Sequence, residues 1–236
     1  MDVLILAAGF GTRLYPLTET LPKALIKVKE NLLIDHLIGK IDEIEQVQNI
    51  YVLSNNKFFN HFSDWHEDKG HEKVKLLNNN VNHEGEKKGA IGDIQFFLDN
   101  VDTAELLILA SDNVFDFKLK DLKEFSDEKN KSCVALVKIE DESLVKKYSC
   151  VLMNEDNKIH FFEEKPENPK SNLCGTPFYL LKEHDVKKVK ENKFEKIDNM
   201  GNLIEFLHKK SEVYGKVFDD FWMDVGTKEE LDKVNN

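Results

Sequence analysis

Cysteine is scarce: Cys133, Cys150 and Cys174 are the only three in 236 residues, and no CxxC pair occurs. That spacing excludes a disulfide framework and a zinc ribbon, and it points to a reducing, cytoplasmic compartment. Long apolar runs are missing as well. Nothing approaches the ~18 residues of a membrane span, so no membrane partner is expected. The opening MDVLILAAGF has no basic segment and reaches a glycine after a short apolar run, unlike a signal peptide. Eight histidines show no HxxxH or HExxH spacing, and no nucleophile elbow is present. His61, His66 and His71 are read as solvated. A basic balance is absent too: 33 Lys and Arg face 44 Asp and Glu, a net charge of −11. A general nucleic-acid binder presents a basic face, so no nucleic-acid partner is expected. Among the charged residues arginine is scarcest, with Arg13 alone beside 32 lysines.

What is present is an alternation of short apolar runs and helical patterns. Asp2 to Leu6, Ile50 to Leu53, Val74 to Leu77 and Leu106 to Ala110 read as buried strands. Between them, the spacing of Leu33, Leu37, Ile38, Ile41 and Ile44, the stretch 57–69 and residues 90–98 read as helices. Such alternation predicts βαβ units and an α/β, Rossmann-like, three-layer fold with a mixed, mostly parallel sheet. After about residue 131 strands dominate: 132–137, 149–153, 158–162, 178–181 and 213–217, with helices at about 184–191, 201–209 and 228–234. Pro177 has no N–H, so the strand there is expected at an edge or to begin after it. The runs Asn78-Asn79-Asn80 and His83 to Lys88 read as solvated loops. No Pro/Gly/Ser linker divides the chain. It reads as one domain, 1–236, with halves 1–130 and 131–236, long enough to bury about 70% of its unfolded surface unaided.

Gly9 and Gly11 follow the first strand in LAAGFGTRLYPLTETLPKALIKV. Glycines there let several backbone N–H groups approach an anion. GK[ST] is missing, so this is no Walker loop, and Leu14 fills the third position of a dinucleotide fingerprint. The lone arginine sits inside this loop, and Lys23 follows ten residues later. Backbone donors, a bidentate guanidinium and a point-charge ammonium suit a triphosphate.

Residues Gly9 to Lys23 match G-x-G-T-R-L-x-P-x-T-x-x-x-P-K throughout and so resemble the sugar-1-phosphate nucleotidyltransferases, of the glucose-1-phosphate thymidylyltransferase type. The resemblance runs from Met1 to about Lys233. It implies nucleotide binding along Leu6, Ala7, Ala8, Gly9, Gly11, Thr12 and Arg13, and catalytic roles for Arg13, Lys23 and Asp112. In LILASDNVF, Asp112 matches the family's G-D-N, with Ser111 in place of glycine, and is a magnesium ligand by resemblance. In FWMDVGT, Asp224 is the second. The segment FEEKP followed by Asn172 and Gly175 resembles the sugar-phosphate motif, which implies that Asn113, Glu164, Lys165, Asn172 and Gly175 bind the sugar phosphate. KGAIGD resembles the base-and-ribose loop around Gly89. Glu84 and Glu86 stand where the family often has a glutamine, and a carboxylate only accepts hydrogen bonds, from the ring N–H of uracil or thymine or from the N1–H and amino group of guanine.

The implied reaction joins an NTP, with dTTP or UTP favoured, to a sugar 1-phosphate, giving an NDP-sugar and pyrophosphate with Mg²⁺ as cofactor. Two other readings stay open: a CTP-dependent transferase for a non-sugar phosphate such as phosphocholine, and a non-catalytic nucleotide-sugar sensor. A homo-oligomer also stays open. Because the chain stops soon after Asp224, no appended β-helix acyltransferase domain is expected.

Overall fold

The apolar run Asp2–Leu6 forms strand β1, with Val3, Leu4 and Ile5 wholly buried, as a strand covered on both faces requires. The computed structural model describes residues 1–195 and 198–235. Two short strands, β2 (Lys27–Val28) and β3 (Asn31–Leu32), lead into helix α1 (Leu33–Asp42). Then follow β4 (Asn49–Ser54), α2 (Phe59–Lys69), β5 (Val74–Asn78), α3 (Gly89–Asn100) and β6 (Glu105–Ala110). Beyond them lie β7 (Asn113–Phe115), α4 (Leu119–Lys129), β8 (Ser132–Lys138), α5 (Glu142–Val145) and the hairpin β9 (Ser149–Met153) with β10 (Ile159–Glu164). The chain finishes with β11 (Leu173–Lys182), α6 (Glu183–Glu191), α7 (Gly201–Lys210), β12 (Val213–Phe218), β13 (Trp222–Asp224) and α8 (Lys228–Asn235).

Seven strands form one sheet in the order β12-β8-β11-β6-β1-β4-β5. Strand β11 alone runs against the other six. Helices cover both faces. Ile34, Leu37, Ile38 and Ile41 of α1, Phe62 and Trp65 of α2, and Leu119 and Leu122 of α4 pack on one face. Ile91, Ile94, Phe97 and Leu98 of α3, Val186 and Val189 of α6, and Leu203, Ile204 and Leu207 of α7 pack on the other. The expected three-layer α/β architecture is therefore present. No helix among the described residues is long and apolar enough to cross a membrane. The three cysteines are buried and free.

Three expectations need correction. Pro177 lies inside β11, between two neighbours, rather than at an edge. A register shift between Gly175 and Tyr179 accommodates it, because a bulge leaves one position with no ladder bond to donate. Asn79 is buried rather than solvated, donating from Nδ2 to Asp93 Oδ1 at 2.8 Å while its Oδ1 accepts the Val81 N–H. His61, His66 and His71 are half-buried rather than solvated: α2 lays His61 against Phe58 and His66 against Trp65, and the turn after it brings His71 onto Trp65.

Candidate active site

A cleft of about 830 Å³ opens at the carboxyl ends of β1 and β6, where an open α/β sheet leaves backbone groups and loop residues to face a ligand. Its first wall is the loop after β1. Gly11 has φ +66°, and a Cβ there would lie 3.1 Å from Thr18 Cγ2, so the position favours glycine twice over. The Thr18 hydroxyl donates to Gly11 O at 2.7 Å and locks the turn. Gly9 shows no left-handed backbone; it lines the cleft, and a Cβ there would meet nothing within 4 Å. A single turn of 3₁₀ helix, Thr12–Leu14, then carries Arg13 into the open cleft. The guanidinium lies across Gly226, whose Cβ, if present, would be 3.3 Å from Nη1 and Nη2.

The central feature is an ammonium between two carboxylates. Lys23 Nζ lies 2.6 Å from Asp112 Oδ2 and 3.9 Å from Asp224 Oδ1. Asp112 and Asp224 are 112 positions apart, yet β7 pairs with β13 and sets Asp224 opposite Asn113. The Val225 N–H closes the arrangement on Asp112 O at 2.8 Å. Burial alone would raise the Asp112 carboxyl, but Lys23, by charge and by hydrogen bond, holds it below the usual carboxylate range. Asp224 moves the other way, pushed up to about 7 by burial and by the Asp112 charge. Its Oδ1 is buried without a hydrogen-bond partner.

The far wall comes from β10, β11 and the start of α7. Glu164 ends β10 with its carboxyl pushed up to about 7, by burial first and by Glu205 second, against the pull of Lys165. Lys165 adopts a left-handed backbone, φ +50°, an uncommon conformation for a residue with a side chain. Its N–H bonds Tyr148 O at 2.6 Å and its Nζ reaches Asn199 Oδ1 at 2.5 Å. Gly201 opens α7 directly against Glu164: a Cβ there would overlap the carboxylate.

The structure brings nearly all the expected residues to this one cleft. Leu6, Ala7, Ala8, Gly9, Gly11, Thr12, Arg13, Lys23, Glu84, Gly89, Asp112, Asn113, Glu164, Lys165, Gly175 and Asp224 all line it. Glu84 is exposed at the rim and accepts the Thr12 hydroxyl at 3.3 Å. Glu86 turns to His83 instead, 3.0 Å away. One sugar-phosphate expectation, Asn172, needs revision, and Asn113 has a further task. Asn172 is exposed and outside the cleft, and its carbonyl accepts the Ile139 N–H at the entry of β11. Asn113 is buried: Oδ1 accepts Trp222 Nε1–H at 2.9 Å, and Nδ2 donates one hydrogen to Asp112 Oδ1 at 2.9 Å. It orients Asp112 while lining the cleft. Sequence reasoning missed Tyr148, Asn199, Gly201, Glu230 and Asp93, which also line the cleft. Asp93 closes the KGAIGD motif without a role assigned to it, and the other four sit in no signature that spacing alone could mark.

Among the described residues no cluster of three or more His, Cys, Asp and Glu is placed to hold a metal. Two hard carboxylates, one with an orphaned oxygen, fit a magnesium ion that takes its remaining ligands from phosphate and water.

A family model described as Nucleotidyl transferase matches residues 2–236. The bifunctional protein GlmU of Methanocaldococcus jannaschii is 31% identical over all of this chain and 55% of its own length. The chain spans about half the length of the GlmU proteins it matches. The UTP–glucose-1-phosphate uridylyltransferase AglF of Haloferax volcanii is 26% identical over 99% of this chain and 95% of its own. Among solved structures, a Bacillus anthracis protein described as a glucose-1-phosphate thymidylyltransferase superposes with a TM-score of 0.85 at 23% identity, covering 100% of this chain and 94% of that one. A UDP-glucose pyrophosphorylase complexed with UDP-glucose gives 0.83 at 18% identity, covering 99% and 96%. At these identities the two structures speak to the fold.

Proposed function

The chain belongs to the nucleotidyl transferase family, and on that premise we propose that it transfers a nucleotidyl group from an NTP to a sugar 1-phosphate, releasing pyrophosphate. One observation carries the reading: Lys23 pairs with Asp112 and Asp224 in the cleft that Arg13, Glu164 and Lys165 also line. A phosphate oxygen of the sugar phosphate attacks the α-phosphorus, and the bond to the leaving pyrophosphate breaks. That oxygen is already anionic, so no general base is needed. Catalysis is positioning and charge neutralisation. Arg13 and the loop amides hold the β- and γ-phosphates, and Gly11 keeps those amides turned inward. Lys23 exchanges the Asp112 carboxylate for the α-phosphate and the attacking oxygen. Lys165 takes the sugar's phosphate, and Glu164 accepts hydrogen bonds from sugar hydroxyls. Asp112 and Asp224 would hold magnesium, which supplies charge neutralisation at the transferring phosphate. Asn113 keeps Asp112 aimed.

The nucleobase sits beside Gly89 and Glu84. A carboxylate at this rim accepts the ring N–H of uracil or thymine, on which dTTP or UTP is favoured here, and it would equally accept the N1–H and amino group of guanine. Residues 1–130 then serve the nucleotide and 131–236 the sugar phosphate. The test is a pyrophosphate-release matrix of five nucleoside triphosphates against several sugar 1-phosphates and phosphocholine. The expected result is release with a sugar 1-phosphate, at least tenfold faster with dTTP or UTP than with CTP. Release with CTP and phosphocholine alone, or with no pair at all, overturns the proposal.

A further inference from the structure

Two loops that line the cleft, the one after β1 and the one between β5 and α3, are joined in a ring by hydrogen bonds. The asparagine pair that follows β4 makes the joint. Asn55, wholly buried, donates from Nδ2 to Ala8 O at 2.9 Å, and its Oδ1 accepts the Phe58 N–H at 3.0 Å. Asn56 serves the other loop. Its N–H donates to Val81 O at 2.9 Å, its Nδ2 donates to Asn82 Oδ1 at 2.8 Å, and its Oδ1 accepts Asn78 Nδ2 at 2.8 Å. The Asn82 N–H then donates to Glu86 Oε2 at 3.2 Å. Glu84 lies between Asn82 and Glu86 in sequence and closes the ring by accepting the Thr12 hydroxyl at 3.3 Å. Glu84 is therefore tied to the phosphate loop twice, directly at Thr12 and, through Asn82, Asn56 and Asn55, at Ala8.

The segment so tied has little structure of its own: residues 79–88 hold one turn of 3₁₀ helix, Glu84–Glu86, and no strand. Its root is pinned separately, where Asn79 donates to Asp93 of α3 at 2.8 Å. Asn56 and Asn82 are exposed, and hydrogen bonds open to water add little to stability. What they fix is position. An amide suits residue 56 because it donates to one asparagine while accepting from another. We propose that Asn56 is a positioning residue for the nucleobase: by holding Asn82 it sets Glu84 at a fixed place relative to the phosphate loop and so narrows which base is accepted. The inference rests on the nucleotide reading of Glu84 and Gly89 and deepens it, since base selectivity then depends on two asparagines that do not line the cleft. A carboxylate held in place discriminates by the geometry of the donors it meets, whereas one on a loose loop follows whichever base is offered.

The experiment measures binding as well as turnover. UTP, dTTP, CTP, GTP and ATP, with inorganic tripolyphosphate as the control that carries no base, are titrated by calorimetry into wild type, Asn56→Ala, Asn82→Ala and the double variant. Each single variant is expected to weaken the best-bound nucleotide about 3- to 10-fold and the worst-bound one less, so that the ranking flattens. Tripolyphosphate binding should change less than about twofold and the melting temperature barely move, because Asn55 still holds Ala8. The double variant should lie within about twofold of the weaker single one, since both substitutions remove the same joint. No loss in either variant, losses that add in the double variant, or an equal loss for tripolyphosphate, with or without a lower melting temperature, overturns the proposal. Wild type that binds the five nucleotides no better than tripolyphosphate overturns the nucleobase reading and this inference with it. The expected binding pattern without pyrophosphate release would instead count against the transferase activity and leave the positioning role standing.

Discussion

Lys23 Nζ and Asp112 Oδ2 lie 2.6 Å apart, so the two charged groups nearest the proposed reaction neutralise each other before a substrate arrives. A phosphate entering the cleft must take the ammonium from the carboxylate, and the carboxylate must find another cation. Asp112→Asn and Asp224→Asn are each expected to lower turnover by about 10²-fold or more, since each removes charge from a proposed metal ligand. Manganese titrated into the protein alone should bind more weakly to both variants. Full activity of either one in excess EDTA would end the two-carboxylate reading.

Arg13→Lys is expected to be costly although the charge is kept. The guanidinium lies flat over Gly226 with both Nη atoms close, a seat for two parallel hydrogen bonds that an ammonium cannot copy. One charge-assisted hydrogen bond is worth roughly 1.5–3 kcal/mol, so kcat/KM for the triphosphate should fall about 10- to 150-fold. The melting temperature should barely move, because the side chain is exposed. Lys23→Arg adds bulk between Asp112 and Asp224 and should also be damaging. Steady-state kinetics with a melting curve on each protein decide both.

Glu164→Gln should trade activity for stability in a pH-dependent way. The folded carboxyl is pushed up from 4.5 to about 7, so the folded state holds a proton that the unfolded state has lost. That proton favours folding below the unfolded value, and the benefit disappears as pH rises through about 7. The amide pays no such penalty. At pH 8 the variant should melt roughly 2–8 °C above wild type, and near pH 4 the two should coincide. A gap that widens toward acid would contradict the burial of this carboxyl. KM for the sugar phosphate should rise in the same variant.

Gly201→Ala probes the same wall from the other side. Alanine suits the first turn of a helix, so stability should hold. The new methyl group would displace the Glu164 carboxylate, so kcat/KM should drop about tenfold or more when the sugar phosphate is varied. KM for the triphosphate, proposed to be held by Arg13 and the loop after β1, should change less than twofold. Equal effects on both substrates would mean that the two ends of the cleft are not separate.

The three-layer fold was legible because its strands are short, apolar and regularly interrupted by helical patterns. The phosphate loop was legible because Gly11 and Arg13 satisfy local demands that few other residues meet. Pro177 misled because a bulge, a property of pairing between strands, cannot be read along one of them. Asn79 misled because three consecutive asparagines look like a loop, and only the folded chain shows the middle one turned onto Asp93. Asn172 was assigned by its place after EEKP, but β11 turns Asn172 outside the cleft and Gly175 in. Asn199 and Gly201 were invisible because their importance lies in what they touch across the cleft.

The ribbon of β7 and β13 joins residue 112 to residue 224, and this has a bearing on synthesis. A ribosome releases the chain from its N-terminus, so the phosphate loop and Asp112 reach solution long before Asp224 does. Until residues 222–224 clear the exit tunnel, Lys23 and Asp112 can pair, but the second carboxylate is missing. A nascent chain can therefore hold the cleft's cations in place while lacking half of its acidic pair, and the second carboxylate joins only after every other proposed ligand of the phosphates has left the ribosome.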